Sequence, residues 1–120
     1  MADRILFITW KAPVRGLEER AVESFNEAIG LYGRMQQEGR IESFDAVLLS
    51  PNGHLDGYIQ LNGSAQQIAA VKEDREFMKL TAEVGLIVDD VRQIDGFCNE
   101  GVAQMMGLYQ EAVAKVPQTV

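Results

Sequence analysis

The sequence predicts an α+β fold, a four-stranded antiparallel sheet with two main helices on one face. Three observations lead there. Residues 4–10 are apolar at both parities. The period then switches to three- and four-residue steps over residues 17–38. Two strand-like runs next flank a turn at residues 51–54, as an antiparallel hairpin requires.

The elements follow in order. Arg4 to Trp10 places Ile5 and Phe7 on one face and Leu6, Ile8 and Trp10 on the other. A strand apolar on both faces belongs at the centre of a covered sheet. Lys11 to Gly16 contains Pro13 and Gly16 and reads as a loop. From Leu17 to about Glu38, the residues Ala21, Val22, Phe25, Ala28, Ile29, Tyr32 and Met35 recur at helical spacing. Glu18, Glu19, Glu23 and Glu27 take the other face and suit the N-terminal half of a helix dipole. Gly39 stands where a helix ends. Such a helix is a rod of roughly 33 Å, long enough to cross a sheet. Gly30 and Gly33 weaken it by about 1 kcal/mol each relative to Ala, and a close backbone approach is the expected reason.

Ile41 to Ser50 is the second strand, centred on Ala46-Val47-Leu48-Leu49. Pro51-Asn52-Gly53-His54 is turn chemistry. Gly57 to Asn62 is the third strand, with Ile59 and Leu61 on one face and Tyr58, Gln60 and Asn62 on the other. Ser64-Ala-Gln-Gln67 resembles a capping box and opens two helical pieces, about 65–73 and 75–86, kinked at Glu73-Asp74. Asp89-Asp90 marks a break. Val91 to Cys98 is the fourth strand, with Gln93, Asp95 and Phe97 opposite Arg92, Ile94 and Gly96. Gly101 to Val116 is a last helix striped by Val102, Met105, Met106, Tyr109 and Val113, and Pro117 ends it.

The order β-α-β-β-α-β-α is a ferredoxin-like split βαβ with an extra C-terminal helix. Right-handed crossovers put both main helices on one face of the four-stranded antiparallel sheet, with the first and third strands central. The opposite face is then bare, although the first two strands carry apolar residues there. Monomers rarely expose such a patch. A last helix of about 15 residues covers only part of a sheet. The expectation is therefore a homodimer whose two sheets close an eight-stranded dimeric barrel.

Composition bounds the rest. The 120 residues fit a single domain over 1–120, with 47% apolar residues to build a core. Eleven basic against 18 acidic residues leave a charge of -7, which gives non-specific nucleic-acid binding no support. One cysteine excludes an intrachain disulfide and a cysteine zinc cluster, and one histidine excludes a histidine-rich metal site. No phosphate loop, G-x-G-x-x-G or H-E-x-x-H is present, so no cofactor and no metal is expected. The apolar run Ile5 to Trp10 is too short for a signal core or a membrane span, so no membrane partner and a cytoplasmic location are expected.

The order of elements, the hairpin His54-Leu-Asp-Gly-Tyr58 and the segment Asp74-Arg-Glu-Phe-Met-Lys-Leu80 resemble the dimeric α/β-barrel group, over roughly residues 4–98. That group includes the antibiotic-biosynthesis-monooxygenase-like and stress-responsive barrel proteins. The resemblance implies a homodimer of ferredoxin-like protomers, often with a small-molecule pocket between sheet and helices. It carries no shared catalytic motif.

His54 has the only side chain with an ordinary pKa near neutrality. It is a candidate general base oriented by Asp56, or an exposed turn histidine. Tyr58, Gln60, Asn62, Gln93 and Asp95 form a polar pocket if strand registers bring them to one face, with Asp95 as a base whose pKa burial raises. Otherwise they are a satisfied polar interface. Lys11 and Arg15 sit at the first helix N-terminus and either hold an anion or pair with Glu18 and Glu19. Cys98 lacks a basic neighbour and reads as an inert thiol. Met35, Met78, Met105 and Met106 fill gaps on helical stripes.

The functional expectation is a homodimer that binds a small aromatic or apolar molecule. An enzyme of this kind works without cofactor, with His54 or Asp95 as proton acceptor and Tyr58 as hydrogen-bond donor. Trp10, Gln60 and Phe97 then contact the ligand. The alternative is a non-catalytic dimerisation or sensory module with a packed interior.

Overall fold

The structure, a computed structural model, describes residues 1–117. Its elements are β1 (Arg4–Trp10), β2 (Ala12–Pro13), α1 (Glu18–Gln37), β3 (Ser43–Leu48), β4 (Gly57–Gly63), α2 (Ala65–Glu73), α3 (Arg75–Ile87), β5 (Val88–Asp89), β6 (Arg92–Phe97) and α4 (Glu100–Lys115). The main sheet has the order β3-β4-β1-β6 and every pair is antiparallel. This is the expected ferredoxin-like arrangement, with β1 and β4 central.

Local chemistry sets the helix ends. No side chain caps α1 at Leu17. Glu18 instead accepts from the Gly16 N–H at 3.0 Å, and Lys11 and Arg15 form no ion pair among the described residues. The expected pairing of those two with Glu18 and Glu19 is therefore not formed. At the far end Gly39 takes φ +74°. The Gly39 and Arg40 N–H groups then donate to Gln36 and Met35 carbonyls, closing a Schellman motif. Ser64 and Gln67 form the full reciprocal capping box of α2. Asp74, extended at ψ 130°, ends α2 and caps α3 by accepting from the Phe77 N–H. That is the kink the broken periodicity announced.

The core lies between the helices and one sheet face. Leu6, Leu31, Met35, Ile41, Leu61 and Val71 are its most buried side chains. Burial of this kind contributes about 1.5–3 kcal/mol per large side chain, and it explains why the apolar faces of α1, α2 and α3 all turn to the sheet. Among the methionines only Met35 acts as the expected core filler; Met78, Met105 and Met106 are exposed.

Some boundaries moved. The second strand is shorter than the expected 41–50 at both ends: the turn out of α1 uses Gly39 and Arg40, and regular pairing stops after Leu48. The loop after β1 contains β2, which pairs with β5 as a two-stranded sheet. Pro13 is tolerated there because that ribbon has free edges. Gly33 has no neighbour within 4 Å of a built Cβ, and Gly30 only the Arg34 side chain at 3.7 Å. The expected close backbone approach at these glycines does not occur.

α4 leaves the body. It packs mainly on the edge strand β6 and does not cross the open sheet face. The radius of gyration is 17.0 Å, against about 14 Å for a compact chain of this length.

Candidate functional site

Strand register decides which polar residues meet. Leu6 of β1 lies opposite Leu61 and Asp95, and Ile8 lies opposite Ile59 and Gln93. These residues share the helix-covered face. Phe7 lies opposite Gln60 and Ile94, and Thr9 opposite Tyr58 and Arg92, on the open face. Tyr58, Gln60 and Asn62 are therefore separated from Gln93 and Asp95 by the thickness of the sheet.

The helix side contains a partly open cleft of about 90 Å³ between α1, α3 and the sheet. Trp10, Phe25, Ile59, Leu80 and Val84 supply its apolar wall. The Trp10 and Phe25 rings meet edge-on at 6.0 Å. Ser24, Tyr32, Thr81 and Gln93 supply polar groups, and among the described residues no charged side chain lines it. Tyr32 is buried, and burial pushes its phenol well above the usual range, so it stays neutral. Gln93 donates its amide to Thr81 Oγ1 at 3.0 Å. Thr81 keeps a hydroxyl hydrogen, and Gln93 keeps its second amide hydrogen and its carbonyl oxygen, so the pair offers both donors and an acceptor to a neutral polar group.

The open face carries a different network. Gln60 donates to Asn62 Oδ1 at 2.8 Å, and Asn62 donates to Ser43 Oγ at 3.1 Å. The Tyr58 ring stacks at a tilt on Phe7, with centroids 4.9 Å apart. Ile5, Phe7 and Val47 are half-buried on this face and Ile94 is 51% exposed.

His54 lies in the exposed loop between β3 and β4. Asn52 organises that loop, accepting from the His54 and Leu55 N–H groups and donating to the Ser50 and Leu55 carbonyls. Among the described residues the imidazole has no hydrogen-bond partner, so Asp56 does not orient it. Asp95 is exposed rather than buried and pairs with Lys72 at 2.8 Å. Phe97 is 43% exposed, with the Arg4 guanidinium 4.7 Å from its ring centre. Phe97 and Asp95 line a shallow groove beside α2, apart from the cleft. The structure thus does not bring His54, Asp95 and Tyr58 together. Of the expected ligand contacts, Trp10 reaches the cleft while Gln60 and Phe97 do not. Thr81, Ser24 and Tyr32 escaped the sequence argument. Thr81, a lone hydroxyl beside Leu80 on an otherwise apolar stripe, was the available signal.

Among the described residues no cluster of three metal-ligating side chains occurs, and no helix is long and apolar enough to cross a membrane. No protein-family model and no curated protein matches the chain. Two solved structures from Bacteroides are similar in fold. One is a conserved protein of unknown function from Bacteroides thetaiotaomicron, described as a possible oxidoreductase. It superposes with a TM-score of 0.62 at 14% identity, covering 82% of this chain and 100% of that one. The other is a dimeric protein of unknown function and ferredoxin-like fold from Bacteroides fragilis. It has a TM-score of 0.62 at 10% identity, covering 82% of this chain and 98% of that one. At such identities the likeness shows the fold alone.

Proposed function

We propose that this protein is a homodimer that binds a small, neutral aromatic or apolar molecule in the cleft between α1, α3 and the sheet. The observation that carries the reading is the lining: apolar walls, no charged side chain, and one bonded Thr81–Gln93 pair. Ligand sites are commonly apolar pockets with a few convergent polar groups. The volume of about 90 Å³ suits a single ring whose edge remains at the opening. A carboxylate ligand finds no cationic partner there, and its desolvation is costly.

Binding is favoured over acid–base catalysis because among the described residues the only ionisable group in the lining is the Tyr32 phenol, which burial holds neutral. His54 and Asp95 are outside the cleft, so the roles expected for them lack support there. The homodimer is supported by the apolar residues left on the open sheet face, and by the dimeric state of the Bacteroides fragilis protein of similar fold. Two such faces meeting would form the eight-stranded barrel and enclose the Gln60–Asn62–Ser43 network.

Thermal melting with phenol, indole and benzoate tests the ligand class. A ligand at 100 times its Kd stabilises by about 2.7 kcal/mol. The neutral rings should raise the Tm and benzoate should not. Thr81→Val and Gln93→Leu should remove most of the phenol response, whereas His54→Ala and Asp95→Asn should leave it intact. No response to any neutral ring would favour the packed, non-catalytic module.

A further inference from the structure

We propose that α4 is an arm that packs against a second copy of this chain. Three observations on the helix itself motivate this. Every residue from Val102 to Ala112 is exposed. Val102, Met105, Met106 and Tyr109 nevertheless form one apolar stripe, between 39% and 65% exposed. A helix of 16 residues with no buried face is marginal in water, because most helical stability comes from burying such a stripe.

The root of the arm prevents it from folding back onto its own sheet. Asn99 adopts φ 50° and ψ -126°, a conformation disfavoured for a side-chain-bearing residue. Its amide donates to the Ala2 carbonyl at 2.7 Å, and the Cys98 N–H donates to the Asp3 carbonyl at 3.2 Å. Gly101 is buried against Asp3, where a Cβ would collide with the backbone oxygen. These contacts aim the helix away from the body. They also account for the expanded radius of gyration.

A second copy is the occupant that the geometry favours. α4 springs from β6, an edge strand of the same sheet whose open face carries Ile5, Phe7, Val47 and Ile94 beside its polar network. This inference rests on the sheet-to-sheet pairing proposed above. In that pairing the open face next to the β6 edge, where α4 is rooted, becomes the dimer seam. From the fractional exposure of its four residues the stripe presents roughly 400 Å² per arm, so two arms and the surfaces they cover would bury about 1,600 Å², the size of a standard specific interface. Both uncovered apolar surfaces are then satisfied by one two-fold axis, the commonest oligomer symmetry.

The test uses full-length chains. Tyr109 is replaced by p-benzoylphenylalanine in one copy, which is co-expressed with a mass-tagged copy lacking the probe. Irradiation should give a cross-linked product containing both chains. Met106→Glu should weaken the dimer at least tenfold by sedimentation and abolish that product, with far-ultraviolet circular dichroism confirming a folded chain. Gln104→Glu, on the opposite side of α4, should change neither. A dimer that Met106→Glu leaves intact and that yields only intrachain products overturns the arm while sparing the sheet pairing. A wild-type chain that sediments as a monomer at micromolar concentration overturns both.

Discussion

Filling the cleft from Ala28 tests the site and its energetics together. Ala28 is buried on α1 and lines the cleft. Replacing it with Leu adds three carbons pointing into a space of about 90 Å³. Burial of three carbon groups at about 0.8 kcal/mol each contributes about 2 kcal/mol. For a chain of this length that gain raises the Tm by roughly 6–12 °C. The same substitution should abolish stabilisation by phenol. Differential scanning calorimetry with and without phenol reads both effects. A fall in Tm would mean overpacking, which typically costs about 1–3 kcal/mol, and would refute the view that Ala28 faces usable space. A raised Tm with an unchanged phenol response would place the binding site elsewhere.

Three further perturbations follow from backbone geometry and charge. Gly57→Ala should destabilise by about 1–3 kcal/mol, since its Cβ would strike the Val47 carbonyl oxygen and lie 2.9 Å from Trp10 Cζ2. Gly33→Ala, with open space at its Cβ, should stabilise by about 0.5–1 kcal/mol, and urea titration of both variants against wild type reads the two signs. Asp74→Ala removes the α3 cap and the 2.6 Å pairing with Arg40, and should cost about 1–2 kcal/mol at pH 7. The Phe77 N–H, with Arg40 beside it, holds the Asp74 carboxyl below the usual carboxylate range. A lowered folded-state pKa stabilises above the unfolded value of about 4, and that stability is lost as pH falls through the folded value. The gap between wild type and Asp74→Ala should therefore be constant from pH 6 to 8 and narrow in acid. A gap that widens in acid would contradict the assignment.

Periodicity and punctuation made the elements legible. The both-parity run of β1, the three- and four-residue stripe of α1, the Ser64 capping box and the slip at Asp74 each act within a few residues. Short-range chemistry decides them whatever the rest of the chain does. The order of those elements, with right-handed crossovers, then leaves few topologies, and the ferredoxin-like sheet is the one found. The candidate site was only partly legible. Trp10 and Gln93 could be singled out as residues of interest from their strands. Their membership of one cleft could not, because a shift of one residue in register moves a strand's side chains to the opposite face.

Sequence by itself thus determined the elements, their order and the existence of an uncovered apolar sheet face. Tertiary structure decided three things. Register set Tyr58 and Asp95 on opposite faces and left His54 in an outer loop. Helix placement brought Thr81 of α3 to Gln93 of β6. The unusual backbone at Asn99 and the contact of Gly101 with Asp3 sent α4 outward. Each depends on contacts between residues distant in the chain, and local preferences carry no record of which of those contacts will close.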